Sequence, residues 1–222
     1  MRLIYLWLAG LAATVVAVVS AYFWLDRPIA LLVHSSIHPA HRSVFIHLSE
    51  IPNPIIPCAV LVLIALGFRA LSGRPIINHY AAALVCSGSV LFAEVTKNYL
   101  KFIFGRTWPE TWTQNNPSFI RDGVYGFDFL HAGPAYESFP SGHMTTTCAV
   151  LTVLWVWYPR WRGLYLAAAV VIGAGLVGAN YHFLSDVIAG SFVGISTGAM
   201  ATAIWCGFDR NPANPRRGTM RH

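Results

Sequence analysis

Ser138-Phe139-Pro140-Ser141-Gly142-His143-Met144 is the point where a polar, charged stretch of the chain runs into an apolar one. Pro140 sets the direction in which the chain arrives, Ser141 is an N-cap residue for a helix beginning near His143, and Gly142 lets backbone N–H groups crowd a ligand. The first N–H groups of a helix have no partner inside it and lie at the positive end of its dipole, so this junction is an anion site. The anion expected there is a phosphate group, with a histidine beside it.

The rest of the chain decides what kind of helix follows. Of its 222 residues 55% are hydrophobic and only 11% charged, against roughly 25% charged in an average soluble domain, so the chain belongs with membrane proteins. Six apolar stretches, 3–24, 51–68, 75–104, 143–158, 164–181 and 183–205, predict an all-α, polytopic membrane protein, a six-transmembrane-helix bundle forming one domain over 1–208. The first stretch carries no charge for 22 residues, beyond the core of a signal peptide, and reads as a retained anchor rather than a segment cleaved after Ala21. Residues 28–50 read as an interfacial helical segment, and 209–222 as a basic cytoplasmic tail.

The net charge of +6 does not indicate nucleic acid, because the basic residues lie in short segments between apolar runs. His34, His38, His41 and His47 lack a carboxylate or third ligand at fitting spacing and read as headgroup-level polar residues; no metal is expected. Cys58, Cys86, Cys148 and Cys206 each fall inside an apolar run and read as packing residues. Six spans with a cytoplasmic N-terminus put nine of the 15 basic residues inside. The C-terminus is then also cytoplasmic, and the long 105–140 loop faces outward, at the periplasmic side of an inner membrane.

Three separated pieces share that outer face. The third span ends with Glu94, Lys97 and Lys101 on one side; Glu94 and Lys97 read as an i,i+3 ion pair, and Lys101 as the ligand candidate nearer the loop. The fourth span starts at Ser141 to His143. Before the sixth, Tyr181-His182-Phe183-Leu184-Ser185-Asp186 sets a carboxylate four residues after a histidine, the arrangement that orients an imidazole and stabilises its cation. His182, Asp186, Gly190, Gly194 and Gly198 recur every four residues as one ridge, for which Gly173, Gly175 and Gly178 are a candidate partner surface.

On these residues the chain resembles the type 2 phosphatidic acid phosphatase (PAP2) family, lipid phosphatase branch. Pro140 to His143 match its Pro-Ser-Gly-His motif, and His182 and Asp186 match the His and Asp of its third motif, where Gly175 and Leu176 stand in place of Ser-Arg. In the first motif Lys101 and Pro109 fit, Trp108 occupies the arginine position, and Arg106 is the nearby substitute. The resemblance implies a metal-independent phosphatase without cofactor, acting on lipid mono- or diphosphates at the outer membrane face. His182 would form a phosphohistidine, His143 would protonate the leaving group, and Asp186 would hold His182. Lys101, Arg106, Ser141 and Gly142, with Arg121 as a further candidate, would bind the phosphate. A lipid-to-lipid phosphotransferase with the same residues and a non-catalytic lipid-binding scaffold are the alternatives; the partners expected are the lipid phosphate and membrane lipids.

Overall fold

The computed structural model describes residues 2–112 and 115–210, so the expected basic tail lies outside the described residues from 211 onward. Helix α1 (Arg2–Ser20) continues through a π-helical stretch, Ala21–Leu25, into α2 (Asp26–Ser36), and the rod Ile4–Ser36 is long and apolar enough to cross a bilayer. It outruns the expected 3–24 because Asp26 does not end it: the carboxylate is buried and held by Arg106 of the long loop. The wider π turn re-aims the backbone here, and the Tyr22 carbonyl accepts the hydroxyl of Tyr125 at 2.7 Å. The segment expected at the interface therefore divides, its first part joining α2 and the rest forming α3 (Pro39–Glu50).

A proline-rich turn leads from α3 into α4 (Ile55–Leu71), and α5 (His79–Phe104) follows. Gly105 ends α5 in the left-handed region at φ 52°, and a Cβ there would collide with the Asp128 carbonyl, so only glycine serves. The loop beyond carries the one-turn α6 (Phe119–Asp122), capped by Ser118, and folds back on itself through isolated bridges of Arg106 with Phe127 and Glu137. Then come α7 (Gly142–Trp157), α8 (Arg162–Gly178) and α9 (Leu184–Arg210).

Among the described residues five helical segments are long and apolar enough to cross a membrane: Ile4–Ser36, His41–Leu71, His79–Phe104, Pro159–Gly178 and Leu184–Gly207. Helix α7, the fourth of the six expected spans, has 16 residues. That makes it roughly 24 Å long, short of the ~30 Å hydrocarbon core. It is sheltered among α5, α8 and α9 instead of standing in lipid. Elsewhere the apolar side chains face outward: Leu61, Phe68 and Ile204 are 64%, 67% and 65% exposed, which is costly in water and neutral against lipid tails.

Helices α7 and α9 make the closest seam. Gly190, Gly194 and Gly198 lie against the backbone carbonyls of Ser141, Thr145 and Ala149 in turn. The expected partner surface on α8 is corrected by this packing: Gly175 and Gly178 meet Leu48 and Phe45 of α3, and only Gly173 touches α9, at Val187. Met144, Cys148, Ile172, Leu176 and Val187 close the core between α7, α8 and α9, and Ala82, Val85, Val153 and Trp157 close it between α5 and α7.

Candidate active site

The outer end of the α7–α9 seam brings two histidines together. Ser141 caps α7, its hydroxyl accepting from Met144 N at 3.4 Å, while its own N–H donates to the Asp186 carbonyl at 3.0 Å. Ser141 is fully buried and both its polar groups are engaged, so it ties α7 to α9 and does not present the phosphate contact expected of it. The N–H groups of Gly142 and His143, which have no partner inside the helix, remain as the candidate anion donors. The His143 ring is oriented by Nε2, 2.9 Å from Asn53 Oδ1 in the turn between α3 and α4.

His182 lies in the turn just before α9, 4% exposed. Its Nδ1 is 3.5 Å from Asp186 Oδ2, an ion-pair distance longer than a well-formed hydrogen bond. The same oxygen accepts from Ser138 Oγ at 2.6 Å and from Phe183 N at 2.9 Å. The latter bond is the reach of the third helical residue back to the cap position, which is why a carboxylate four residues after the histidine is held so firmly. Burial pushes the His182 pKa below the ordinary histidine range, against the opposite pull of Asp186. The imidazole is therefore neutral near pH 7, the form that can act as a nucleophile.

Arg106 does not stand where a phosphate contact requires it. It is completely buried behind Asp186: Nη1 binds Asp186 Oδ1 and, at 2.6 Å, Ser185 Oγ, while Nη2 binds Asp26 Oδ2 at 2.8 Å and the Tyr125 hydroxyl at 3.2 Å. Phe183 and Phe127 enclose the guanidinium at 4.3 and 5.0 Å from their ring centres. Burial alone would lower its pKa, but Asp186 and Asp26 outweigh that and hold it above its usual value, so it stays charged. Arg121 is also elsewhere, its side chain 42% exposed and paired with Asp122 at 2.9 Å and with Asn115. Sequence spacing placed both near the loop but could not say which way each side chain turns.

In front of the histidines is a cavity of about 370 Å³. Its cations are Lys97 and Lys101, its polar floor Gly142, His143, Thr146 and His182, and its walls Trp108, Trp112 and Tyr181. Lys101 also pairs loosely with Glu137 at 3.7 Å. Lys97 forms the expected pair with Glu94, at 2.7 Å, yet its Nζ also comes within 2.9 Å of where a Cβ on Gly142 would lie. Lys97 is thus a member of the site that the ion-pair reading hid, although its i,i+4 spacing from Lys101 was the available signal. Trp108, at the arginine position of the first motif, faces His182 with ring centres 5.2 Å apart. Leu176, at the other arginine position, is buried in the α7–α8–α9 core. A larger apolar groove of about 700 Å³ between α1, α5 and α9 is lined by no ionisable side chain.

The turn that holds His182 is fastened from several sides. Trp112 Nε1 donates to the Asn180 carbonyl at 3.1 Å and its ring lies 4.2 Å from that of Tyr181. Asn180 Nδ2 donates to the Ala30 carbonyl of α2 at 3.0 Å, and Arg42 of α3 donates to the Ala179 carbonyl at 3.1 Å while pairing with Glu110.

Known proteins are similar to this chain in sequence and in fold. Residues 82–210, from α5 through α9, match the PAP2 superfamily. A lipid A 1-phosphatase of Rhizobium johnstonii is 31% identical over 196 residues, covering 83% of this chain and 75% of that protein. A lipid A 1-phosphatase of Rhizobium etli is 35% identical over 102 residues, covering 46% of this chain and 41% of that protein. Among solved structures, Aquifex aeolicus LpxE is similar with a TM-score of 0.55 and 20% identity, covering 81% of this chain and 95% of that one. A transmembrane PAP2-type phosphatidylglycerolphosphate phosphatase from Bacillus subtilis is similar with a TM-score of 0.57 and 16% identity, covering 92% and 98%. These two likenesses speak for the fold.

Proposed function

The chain belongs to the PAP2 superfamily, and from that premise we propose that this multi-pass membrane protein is a lipid phosphatase working through a phosphohistidine, with the phosphate of a glycolipid such as lipid A as its substrate. The observation that carries the proposal is the single cavity where His143 and His182 meet two lysines and the N-terminus of α7.

The chemistry follows from the placement. His182 Nδ1 faces Asp186, leaving Nε2 to attack phosphorus in line; the N–P bond forms as the P–O bond to the lipid breaks. Burial and the neighbouring positive groups favour neutral His143 in the empty site, so the arriving phosphate brings the proton that His143 gives to the departing oxygen; His143 then takes one from the water that attacks the phosphohistidine, releasing inorganic phosphate and neutral His182. Lys97, Lys101 and the Gly142 and His143 N–H groups neutralise the equatorial oxygens, where the charge of phosphoryl transfer collects. The walls of Trp108, Trp112 and Tyr181 suit a sugar or glycerol headgroup lying flat against them while the tails stay in lipid. The basic-residue asymmetry, counted with the sheltered α7 as a sixth crossing, supports an active site on the periplasmic side of the inner membrane, with both termini cytoplasmic.

The test is phosphate release from a panel of lipid phosphates, lipid A included, by detergent-purified wild type and His182→Ala. Release by the wild type that is lost in the variant, with an acid-labile label on the wild type, is expected. Release undiminished in His182→Ala overturns the nucleophile, and phosphate moved to a second lipid without release makes the protein a transferase.

A further inference from the structure

Asp26 is a buried carboxylate of the first membrane rod that the proposed chemistry does not touch. It is 1% exposed, and it meets the residues behind the nucleophile: Oδ2 accepts from Arg106 Nη2 at 2.8 Å and from the Ser185 hydroxyl, Oδ1 from the Ser185 N–H at 2.9 Å. Tyr125, whose hydroxyl is 3.3 Å from Oδ2, also bonds to the Tyr22 carbonyl in the π-helical stretch, so the backbone irregularity and the carboxylate belong to one arrangement. Arg27 also lies over the Tyr125 ring, 5.3 Å from its centre.

The charges in this chain of contacts can be counted. Asp186 faces Arg106 through Oδ1 and His182 through Oδ2. With Arg106 alone behind it, Asp186 would be neutralised and would offer little to a cationic imidazole. Asp26 adds a second negative charge behind Arg106, so Asp26, Arg106 and Asp186 together carry one net negative charge while His182 is neutral. The set becomes neutral when His182 turns cationic on attacking phosphorus. Burying an uncompensated charge is costly, so the set is balanced in the state the reaction passes through and not in the resting one.

We infer that Asp26 is a positioning residue for the reaction, acting through Arg106 and Asp186 to stabilise the cationic form of His182. This rests on His182 being the nucleophile. The other charged groups facing His182 are Lys101 from α5 and His143 from α7, both of which disfavour its cation and neither of which touches Asp26.

Asp26→Asn keeps the shape and removes the charge. The site becomes more positive, the imidazolium less favourable, and the acid limb of kcat/KM moves to lower pH by about one unit, while kcat falls about tenfold or more at unchanged KM. The second variant, Arg106→Gln with Asp26→Asn, removes one positive and one negative charge together. It returns the acid limb towards the wild-type position, and it carries the test if the single variant does not accumulate folded. A limb that stays in place in Asp26→Asn, or a double variant whose limb moves further than the single's, overturns the inference and leaves Asp26 a packing residue. If His182→Ala retains phosphate release, the nucleophile reading fails first; if His182→Ala is dead and Asp26→Asn has the wild-type profile, only the inference about Asp26 fails.

Discussion

Gly190→Ala probes the seam on which the two histidines depend. A Cβ at Gly190 would lie 2.5 Å from the Ser141 carbonyl oxygen, 3.2 Å from Thr145 Oγ1 and 3.3 Å from Met144 Cβ. An ordinary contact begins near 3.4 Å, so α9 and α7 must separate by about 0.9 Å, and the atom in the way is backbone that cannot swing aside. Overpacking of this kind costs about 1–3 kcal/mol of stability. The effect on rate is larger, because the parting helices carry Asp186 and His143, and a displacement of about 1 Å in a reacting constellation costs on the order of 10²-fold. The assay is phosphate release per folded enzyme, with the folded fraction taken from thermal unfolding in detergent and kcat measured well below Tm. Gly88→Ala is the control: nothing lies within 4 Å of its Cβ, and alanine inside a helix gains about 0.5–1 kcal/mol over glycine. Gly190→Ala with wild-type kcat, or an equal fall in Gly88→Ala, would falsify the link between this seam and the geometry of the site.

Two further outcomes follow from the cavity. Lys97→Met removes one of the two lysines lining the cavity where the phosphate is proposed to bind, and the lost charge-assisted bond, about 1.5–3 kcal/mol, lowers kcat/KM by roughly 10- to 100-fold; a change confined to thermal stability would return Lys97 to its pair with Glu94 alone. The depressed pKa of His182 fixes a direction in pH. The free nucleophile is neutral above its lowered pKa, so the His182 limb of kcat/KM lies on the acid side of the ordinary value of 6.5; a limb above 6.5 removed by His182→Ala contradicts the burial argument. Stability moves the same way, because the unfolded chain takes up this proton near 6.5 while folded His182 stays neutral to lower pH. The His182 contribution is present above 6.5 and is lost as pH falls towards the folded value, which urea midpoints at several pH values measure.

The His182–Asp186 pair, the cap at Ser141 and the Glu94–Lys97 contact were legible because each is local: spacing along a helix fixes which side chains share a face. Membrane helices were legible from length and apolarity alone. What sequence could not show was which face meets which neighbour. Arg106 looked like the substitute for a missing arginine, and only contacts with Asp26 and Asp186, each 80 residues away, turn it inward. The glycine ridge on α9 was legible, but its partner was misread, since small residues on α8 serve α3 equally well. Asn53 beside His143 gave no signal at all, being one residue in a proline-rich turn that the fold carries to the site.

The fastening of the His182 turn has a consequence for how the protein spends its time between substrates. Trp112 from the long loop, Asn180 through α2 and Arg42 from α3 grip residues 179–181 from three directions. A histidine so braced, if it is the nucleophile as proposed, does not wait for a lid to close over it. The entropy of ordering its turn is lost once, when the chain folds, and not again at each turnover, so the empty site already has the shape of the occupied one. On the proposed function, exchange of lipid at the mouth of the cavity, not rearrangement of the protein, is the slow motion expected of the cycle.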